Sequence, residues 1–293
     1  MSNVDYLAEQ FEGHRSRLHS VAFHLLGSAA DADDAVQSAW LKASRADFTA
    51  VHNLAGWLTT ITARTAVDQL RARARRGEQP LPETLDHGPA ALAAEEEVLR
   101  SEAVSRALLV VLDRLSPAQR AAFVLHDVFD VPFEQIGELL DRSPDAAKKL
   151  ASRARERLHA EPAPEPRRRA EHHQIVTAFL AASRGGDIPA LLELLAPDVM
   201  RRVDPVLVPA GVPTELRGAA DVATETQRFT ARTRAGAVLL VDGAPGIAIA
   251  PGGRLLAVLR IGIGNGRIHT IDITGEPDRL RLMRLQLPGT GRP

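Results

Sequence analysis

Cysteine is absent from the 293 residues, which excludes disulfides, thiolate zinc sites and thiol redox sensing. No apolar run approaches the ~20 residues that a membrane-spanning helix needs. A dominant charge of either sign is also lacking. The formal net charge of −1 says little as a total, because local patches decide nucleic-acid binding. The opening "MSNVDYLAEQFEGHRSRLHS" is polar and acidic, unlike a signal peptide, and no internal repeat is evident. A soluble cytoplasmic protein with no membrane contact is expected. Its length suffices for two or three small domains, each with its own core.

Residues 5–76 read as helices. "YLAEQFEGHRSRLHSVAFHLLGS" spaces its apolar residues three and four apart and ends at Gly27. A second helix is expected over about 31–45, and a third in "LAGWLTTITARTAVDQLRARARR". Residues 77–103 hold three prolines and a cluster of acids and read as a linker. The helical pattern resumes over 104–113 and runs through "SPAQRAAFVLHDVF", "PFEQIGELL" and "SPDAAKKLASRARERLH", placing a second helical domain at 104–160. The Pro-rich stretch at 161–171 reads as another linker, leaving a last domain at 172–293. That domain is expected to be α+β. Helices are expected in "QIVTAFLAASRGG" and "IPALLELLAP", then strands in "AVLLVDGAPGIAIA" and "RLLAVLRIGIGNGRIHTIDI". Asn265-Gly266, between alternating runs, is a strong signal for a type I′ hairpin.

Three stretches carry chemistry. "DADDAVQSAWLKA", residues 31–43, puts three carboxylates at the head of an amphipathic helix that bears Trp40. Asp31, Asp33 and Asp34 would at the least complement the helix dipole there. In "FEQIGELLDRSPDAAKKLASRARERL", "DRS" makes a tight turn, Ser143 is a good N-cap, and Pro144 sits where a missing N–H costs nothing. In the helix after it, Ala147, Leu150, Ala151, Ala154 and Leu158 share one stripe. Lys148, Lys149, Ser152, Arg153 and Glu156 share another. That is helix-turn-helix patterning, with a basic stripe able to enter the major groove. The third stretch carries Arg64, Arg71, Arg73, Arg75 and Arg76. It reads either as a solvated surface or as a DNA contact. Trp57 at its head is either core or a platform for an unpaired base, and the polar loop from Asp47 to Asn53 lies where a flipped base can be read.

In order and wording, residues of about 10–160 resemble an extracytoplasmic-function (group IV) RNA polymerase sigma factor: "LGSAADADDAVQSAWLKASRADF", "NLAGWLTTITARTAVDQLRARARR", an acidic linker, then "LSPAQRAAFVLHDVFDVPFEQIGELLDRSPDAAKKLASRARERL". The resemblance implies that 5–76 is sigma region two and 104–160 a helix-turn-helix region four. It implies two polymerase-core partners, the β′ clamp helices and the β flap. Asp31, Asp34, Gln37 and Trp40 would face polymerase. Asn53, Trp57, Arg64 and Arg71 would melt and read the −10 element. Ser143, Lys148, Lys149, Ser152 and Arg153 would read the −35 element, while the acidic linker threads toward the RNA channel.

The last third resembles the SnoaL-like domain fused to one class of these sigma factors, the SigJ-like class, a cone of curved sheet wrapped by helices. "IDITGEPDRLRLM" resembles that class's terminal Asn-Pro-Asp-Lys-Leu signature, with Glu276 in place of the Asn. "PGGR" resembles its glycine-rich Asp-Gly-Gly-Gly-Arg element, shortened, and "PLPETL" resembles its Trp-Leu-Pro-Glu-Pro motif in part. The regulatory contacts implied are Gly252, Gly253 and Arg254, and Pro277, Asp278, Arg279 and Leu280. The resemblance leaves room for an unidentified small-molecule ligand in this domain.

Catalysis is not expected. Asp204 and Asp272 are the candidate cavity acids, and His269 lies near Asp272 without forming a convincing pair. "GIGNG" is a strand pair and its turn, because no helix follows. His172-His173 lacks further metal-ligand spacing, so no metal or cofactor is expected. Two rivals remain: a free-standing helix-turn-helix regulator, and an enzyme acting on a small molecule in the cone. A plain regulator needs neither the acidic helix nor "NLAGWLTT".

Overall fold

In the computed structural model, residues 3–49, 51–76, 106–158, 165–209 and 211–288 are described. They divide between two compact units, one drawn from 1–81 and 112–157, the other from 82–111 and 158–293.

The first unit is all helical. Helix α1 (Asn3–Leu26) ends at Gly27, which takes a left-handed φ of 79° and donates to the Phe23 carbonyl. Helix α2 (Ala29–Ala43) starts two residues earlier than expected because Ser28 supplies the N-cap, its hydroxyl accepting from the Asp31 amide. Helix α3 (Leu54–Arg76) packs across α1 and α2. The short helix α4, described over 106–112, falls almost wholly within the stretch that belongs to the second unit. Helix α5 (Pro117–Phe123) opens with a reciprocal capping box between Ser116 and Gln119, then widens into a π turn at Val124–Val128. Helices α6 (Phe133–Leu140) and α7 (Pro144–Leu158) follow.

Residues 112–157 of the helical domain expected at 104–160 share this unit with the one expected at 5–76, and α3 packs on α5 and α6. Arg120 is buried between them. Its Nε donates to the His24 carbonyl at 3.1 Å, Asp113 lies 3.7 Å away, and burial pushes its pKa down to about 10. The expected linker at 77–103 lies outside the described residues.

The second unit is α+β, as expected. Helix α8 (Pro166–Gly185) takes in residues 166–171, which composition assigns to a linker. Pro166 sits in its first turn, where proline is tolerated, so the Pro-rich signal marks a helix start. Helix α9 (Ile188–Leu194) is shorter than the expected "IPALLELLAP" helix. Pro197 cannot donate to a helix and biases Ala196 to extended backbone, so strand β1 (Leu195–Val203) begins there. Strand β2 (Glu215–Arg217), helices α10 (Ala219–Arg228) and α11 (Thr230–Thr233), and strands β3 (Gly236–Val241), β4 (Ala244–Ile249), β5 (Ala257–Gly264) and β6 (Arg267–Thr274) follow. Helix α12 (Pro277–Leu282) and strand β7 (Leu285–Gln286) complete the unit.

The seven strands form one sheet in the order β2-β1-β6-β5-β4-β3-β7, with only the β1–β6 pairing parallel. Register shifts between Leu195 and Met200 and between Gly262 and Ile263 bend it. The Asn265-Gly266 turn forms as expected, with φ of 50° and 73°, and Asp242-Gly243 makes a second turn of the same kind. Val176, Phe179 and Leu180 of α8, Leu191 of α9 and Val222 of α10 pack on Ile247, Leu259 and Ile271 of the sheet.

One polar knot ties the end of this unit together. The Asp204 carboxylate accepts from the Gly275 and Glu276 amides at 3.0 and 3.1 Å and pairs with Arg279. Leu207 packs where a Cβ on Gly275 would stand. Asp204→Ala should therefore lower the unfolding free energy of this unit by about 1–2 kcal/mol, since the part-buried Gly275 amide loses its acceptor while the exposed Glu276 amide and Arg279 stay hydrated. Urea unfolding followed by circular dichroism checks this.

Candidate polymerase and nucleic-acid interfaces

Helix α2 buries Ala32, Ala35, Val36, Ala39 and Ala43, so its remaining residues are partitioned by geometry. Asp34 and Gln37 are exposed on the opposite side. The exposed Leu41, at 49% accessibility, joins them at the next turn and was not singled out from sequence. Its spacing of four from Gln37 was the available signal. Asp31 is half-buried and ion-paired with Arg73 of α3, so it ties two helices together. Asp33 faces His19 at 3.5 Å. Trp40 is half-buried, its ring 5.1 Å from that of Phe11. Only part of it is available to a partner.

On α3, Asn53 is the N-cap: its Oδ1 accepts from the Gly56 amide at 2.9 Å. A Cβ on Gly56 would come within 2.7 Å of the Asn53 side chain, so the cap needs glycine there. Trp57 is half-buried beside Phe48, with ring centroids 6.3 Å apart. Arg64 is exposed, and Arg71 reaches Asp68 at 3.9 Å and the Leu140 carbonyl at 3.4 Å. In the preceding loop the Thr49 hydroxyl and amide both donate to Asp47, holding its carboxyl below the usual range.

The helix-turn-helix is built as its pattern predicts. Ile136, Leu139 and Leu140 of α6 are buried, and Asp141 turns the chain with a left-handed φ of 57°. Gly137 is required because a Cβ would lie 2.8 Å from the Arg142 carbonyl. Ser143 caps α7 by accepting from the Ala146 amide at 3.2 Å. Ala147, Ala151, Ala154 and Leu158 face inward, while Leu150 is only half-buried. Lys148, Lys149 and Arg153 are exposed on one side. Ser152 lies beside them and bonds Glu156 at 3.4 Å. Arg155, by contrast, is held by Asp127 at 2.6 Å.

In the second unit, Gly252 and Gly253 form a short 3-10 turn (Pro251–Gly253), followed by a half-buried Arg254. Pro277 and Asp278 are exposed. Arg279 is engaged by Asp204, and Leu280 is buried, so Leu280 is an anchor of its own helix and offers no docking surface.

Neither Asp204 nor Asp272 lines the cavity of the cone. Asp204 belongs to the knot described above, and Asp272 lies 3.7 Å from Arg202. The acid nearest His269 is Asp198, at 3.8 Å, not Asp272. Among the described residues no cluster of side chains could hold a metal ion, and no helix is long and apolar enough to cross a membrane.

Residues 10–76 match Sigma-70 region 2, and residues 105–158 match Sigma-70, region 4. Over 199 residues the chain is 42% identical to the ECF RNA polymerase sigma factor SigJ of Mycobacterium tuberculosis, an alignment that takes in 65% of this chain and 62% of that protein. It is 30% identical over 302 residues to the probable ECF RNA polymerase sigma factor SigI of the same organism, spanning 99% of this chain and all of that protein. The crystal structure of M. tuberculosis SigJ aligns with a TM-score of 0.45 at 32% identity, covering 93% of this chain and 98% of that one. A helical core with two sigma regions defines a promoter-specificity subunit, with RNA polymerase core and promoter DNA as its partners. The chain belongs to the extracytoplasmic-function family of RNA polymerase sigma factors. Its relatives are named as sigma factors, not as enzymes.

The cap makes one position doubly informative. Asn53→Ala should cost about 1 kcal/mol of stability through the lost cap, whereas Asn53→Ser should keep most of it. Thermal unfolding of the two variants checks this and separates cap loss from any loss of base reading.

Proposed function

We propose that this sigma factor grips core polymerase with the exposed face of α2 and promoter DNA with α3 and α7, while its C-terminal unit tunes its activity in place of a separate anti-sigma factor. The observation that carries this reading is the opposed faces of α2 and α7: each buries an alanine stripe and exposes a chemically distinct face. Asp34, Gln37 and Leu41, with the open edge of Trp40, would meet the β′ clamp helices, and region four would reach the β flap. Asp31 contributes by fixing α2 against α3 rather than by direct contact. Asn53, Trp57, Arg64 and Arg71 are assigned to the −10 element, and Ser143, Lys148, Lys149, Ser152 and Arg153 to the −35 element. The protein would work in the cytoplasm, where polymerase is.

Run-off transcription with core polymerase and genomic DNA tests this directly. Leu41→Ala should weaken core binding with little change in thermal stability, whereas Trp40→Ala should lower both because it also removes the packing on Phe11. Lys149→Ala and Arg153→Ala should each cost about 1–3 kcal/mol of promoter affinity if the contact is to a base, and should flatten the salt slope if it is to a phosphate. Normal initiation by both variants would overturn the recognition-helix assignment. Strong duplex binding with no effect of core polymerase would favour the free-standing regulator.

The C-terminal unit is joined to α7 by a short Pro-containing stretch, so it acts at high effective concentration. Gly252, Gly253, Arg254, Pro277, Asp278 and Arg279 are its proposed contact residues. Removing residues from 165 onward should change transcription measurably without changing promoter choice. Equal activity of full-length and truncated chains over several promoters and salt concentrations would refute regulation by this unit.

A further inference from the structure

Helix α8 begins well before its core does. From Arg167 onward its first buried side chain is Val176, and Arg167, Arg168, Ala170, Glu171 and Gln174 are exposed. Eight residues of helix, an arm of about 12 Å, thus lie ahead of the packing that pins the rest. A helical segment that is polar all round draws no stability from an apolar face.

The arm opens on Arg167-Arg168-Arg169, the wrong end of a helix for cations. The first turn carries the positive end of the helix dipole, where an added positive charge is destabilising. Glu165, at the N-cap, makes no side-chain capping bond and reaches Arg168 at 3.4 Å, with both side chains exposed. An ion pair so exposed is worth little. Arg167 precedes Glu171 by four residues, the weaker order for a helical pair. Neither the core nor the helix accounts for Arg167 and Arg168.

Their place in the chain supplies a partner. Arg167 follows Leu158, the last residue of α7, by nine residues, which span at most about 30 Å. A recognition helix seated at the −35 element therefore keeps Arg167 within about nine base pairs of it, at 3.4 Å per base pair. We propose that Arg167 and Arg168 grip the phosphate backbone of duplex DNA upstream of the −35 element, making the arm of α8 part of the promoter interface. Region two lies N-terminal to α7 and takes the −10 element, so the C-terminal arm is assigned to the opposite flank. Guanidinium groups match phosphate geometry, and a grip on phosphates is salt-dependent and blind to sequence. The inference rests on the placement of α7 at the −35 element.

Fluorescence anisotropy of holoenzyme, formed from core polymerase and the full-length chain, tests this on a promoter found by run-off transcription. One labelled duplex continues about 20 base pairs upstream of the −35 element, roughly twice the reach of the arm, and a second stops at the edge of that element. The double variant Arg167→Gln/Arg168→Gln should bind the long duplex about tenfold more weakly at low salt, with a salt slope shallower by about 2. On the short duplex it should match the unchanged protein. Arg167→Lys/Arg168→Lys keeps the charge and should restore most of the loss. Lys149→Ala should weaken both duplexes alike, so failure of the α7 assignment is read separately. Arginines that instead hold the acidic stretch Glu95-Glu96-Glu97 of the same chain would make the double variant differ equally on both duplexes. Arginines that are only solvated would leave both unchanged. Either result overturns the proposal.

Discussion

Close packing through alanine is the constraint on which the helical unit depends. Ala32, Ala35, Ala39 and Ala43 of α2, Ala63 and Ala66 of α3, and Ala147, Ala151 and Ala154 of α7 are all buried. Small side chains let helix axes approach closely, and the separation follows from the residues at the contact. A larger residue at any of these positions would overpack a seam that has no room to give. Because the seam is narrow, each helix keeps a wide outer face. On α2 that face carries Asp34, Gln37 and Leu41, and on α7 it carries Lys148, Lys149 and Arg153. Faces of different chemistry can thus be held on one small scaffold without disturbing its core.

The same unit contains a polar seam with different consequences. Arg120 is buried against the His24 carbonyl and Asp113, and Arg17 donates to the Phe129 carbonyl at 3.0 Å. Arg71 reaches the Leu140 carbonyl. The His24, Phe129 and Leu140 contacts join the region 2 match to the region 4 match. The Arg71 contact uses one of five guanidinium N–H groups and leaves the others for a second acceptor. Even with its pKa lowered to about 10, Arg120 is charged at neutral pH, and exposing it would recover hydration. An interface held this way separates at lower cost than one sealed by large apolar side chains.

What could be read from the sequence was local. The helix-turn-helix was legible because its cap, turn and apolar stripe all lie within "FEQIGELLDRSPDAAKKLASRARERL". The Asn265-Gly266 hairpin was legible because turn chemistry is fixed by two residues. Strand β1 was not, since "LLELLAP" reads equally as helix until Pro197 is weighed. The prolines of 161–171 read as a linker where α8 begins, and three aspartates read as one acidic face where Asp31 is tied to Arg73. Asp204 reads as a cavity acid from sequence because its partners, Gly275, Glu276 and Arg279, lie some seventy residues away.

The Arg201–Glu225 pair was missed for the same reason, and it shows why this cone need not be an enzyme to keep polar groups inside. A general base must present a lone pair to substrate within hydrogen-bond reach and then carry the proton away. Asp204 spends its oxygens on three internal donors outside the cavity, and Asp272 lies on the strand near Arg202. Glu225 does face the cavity, but its partner Arg201 holds it as a fixed counter-ion.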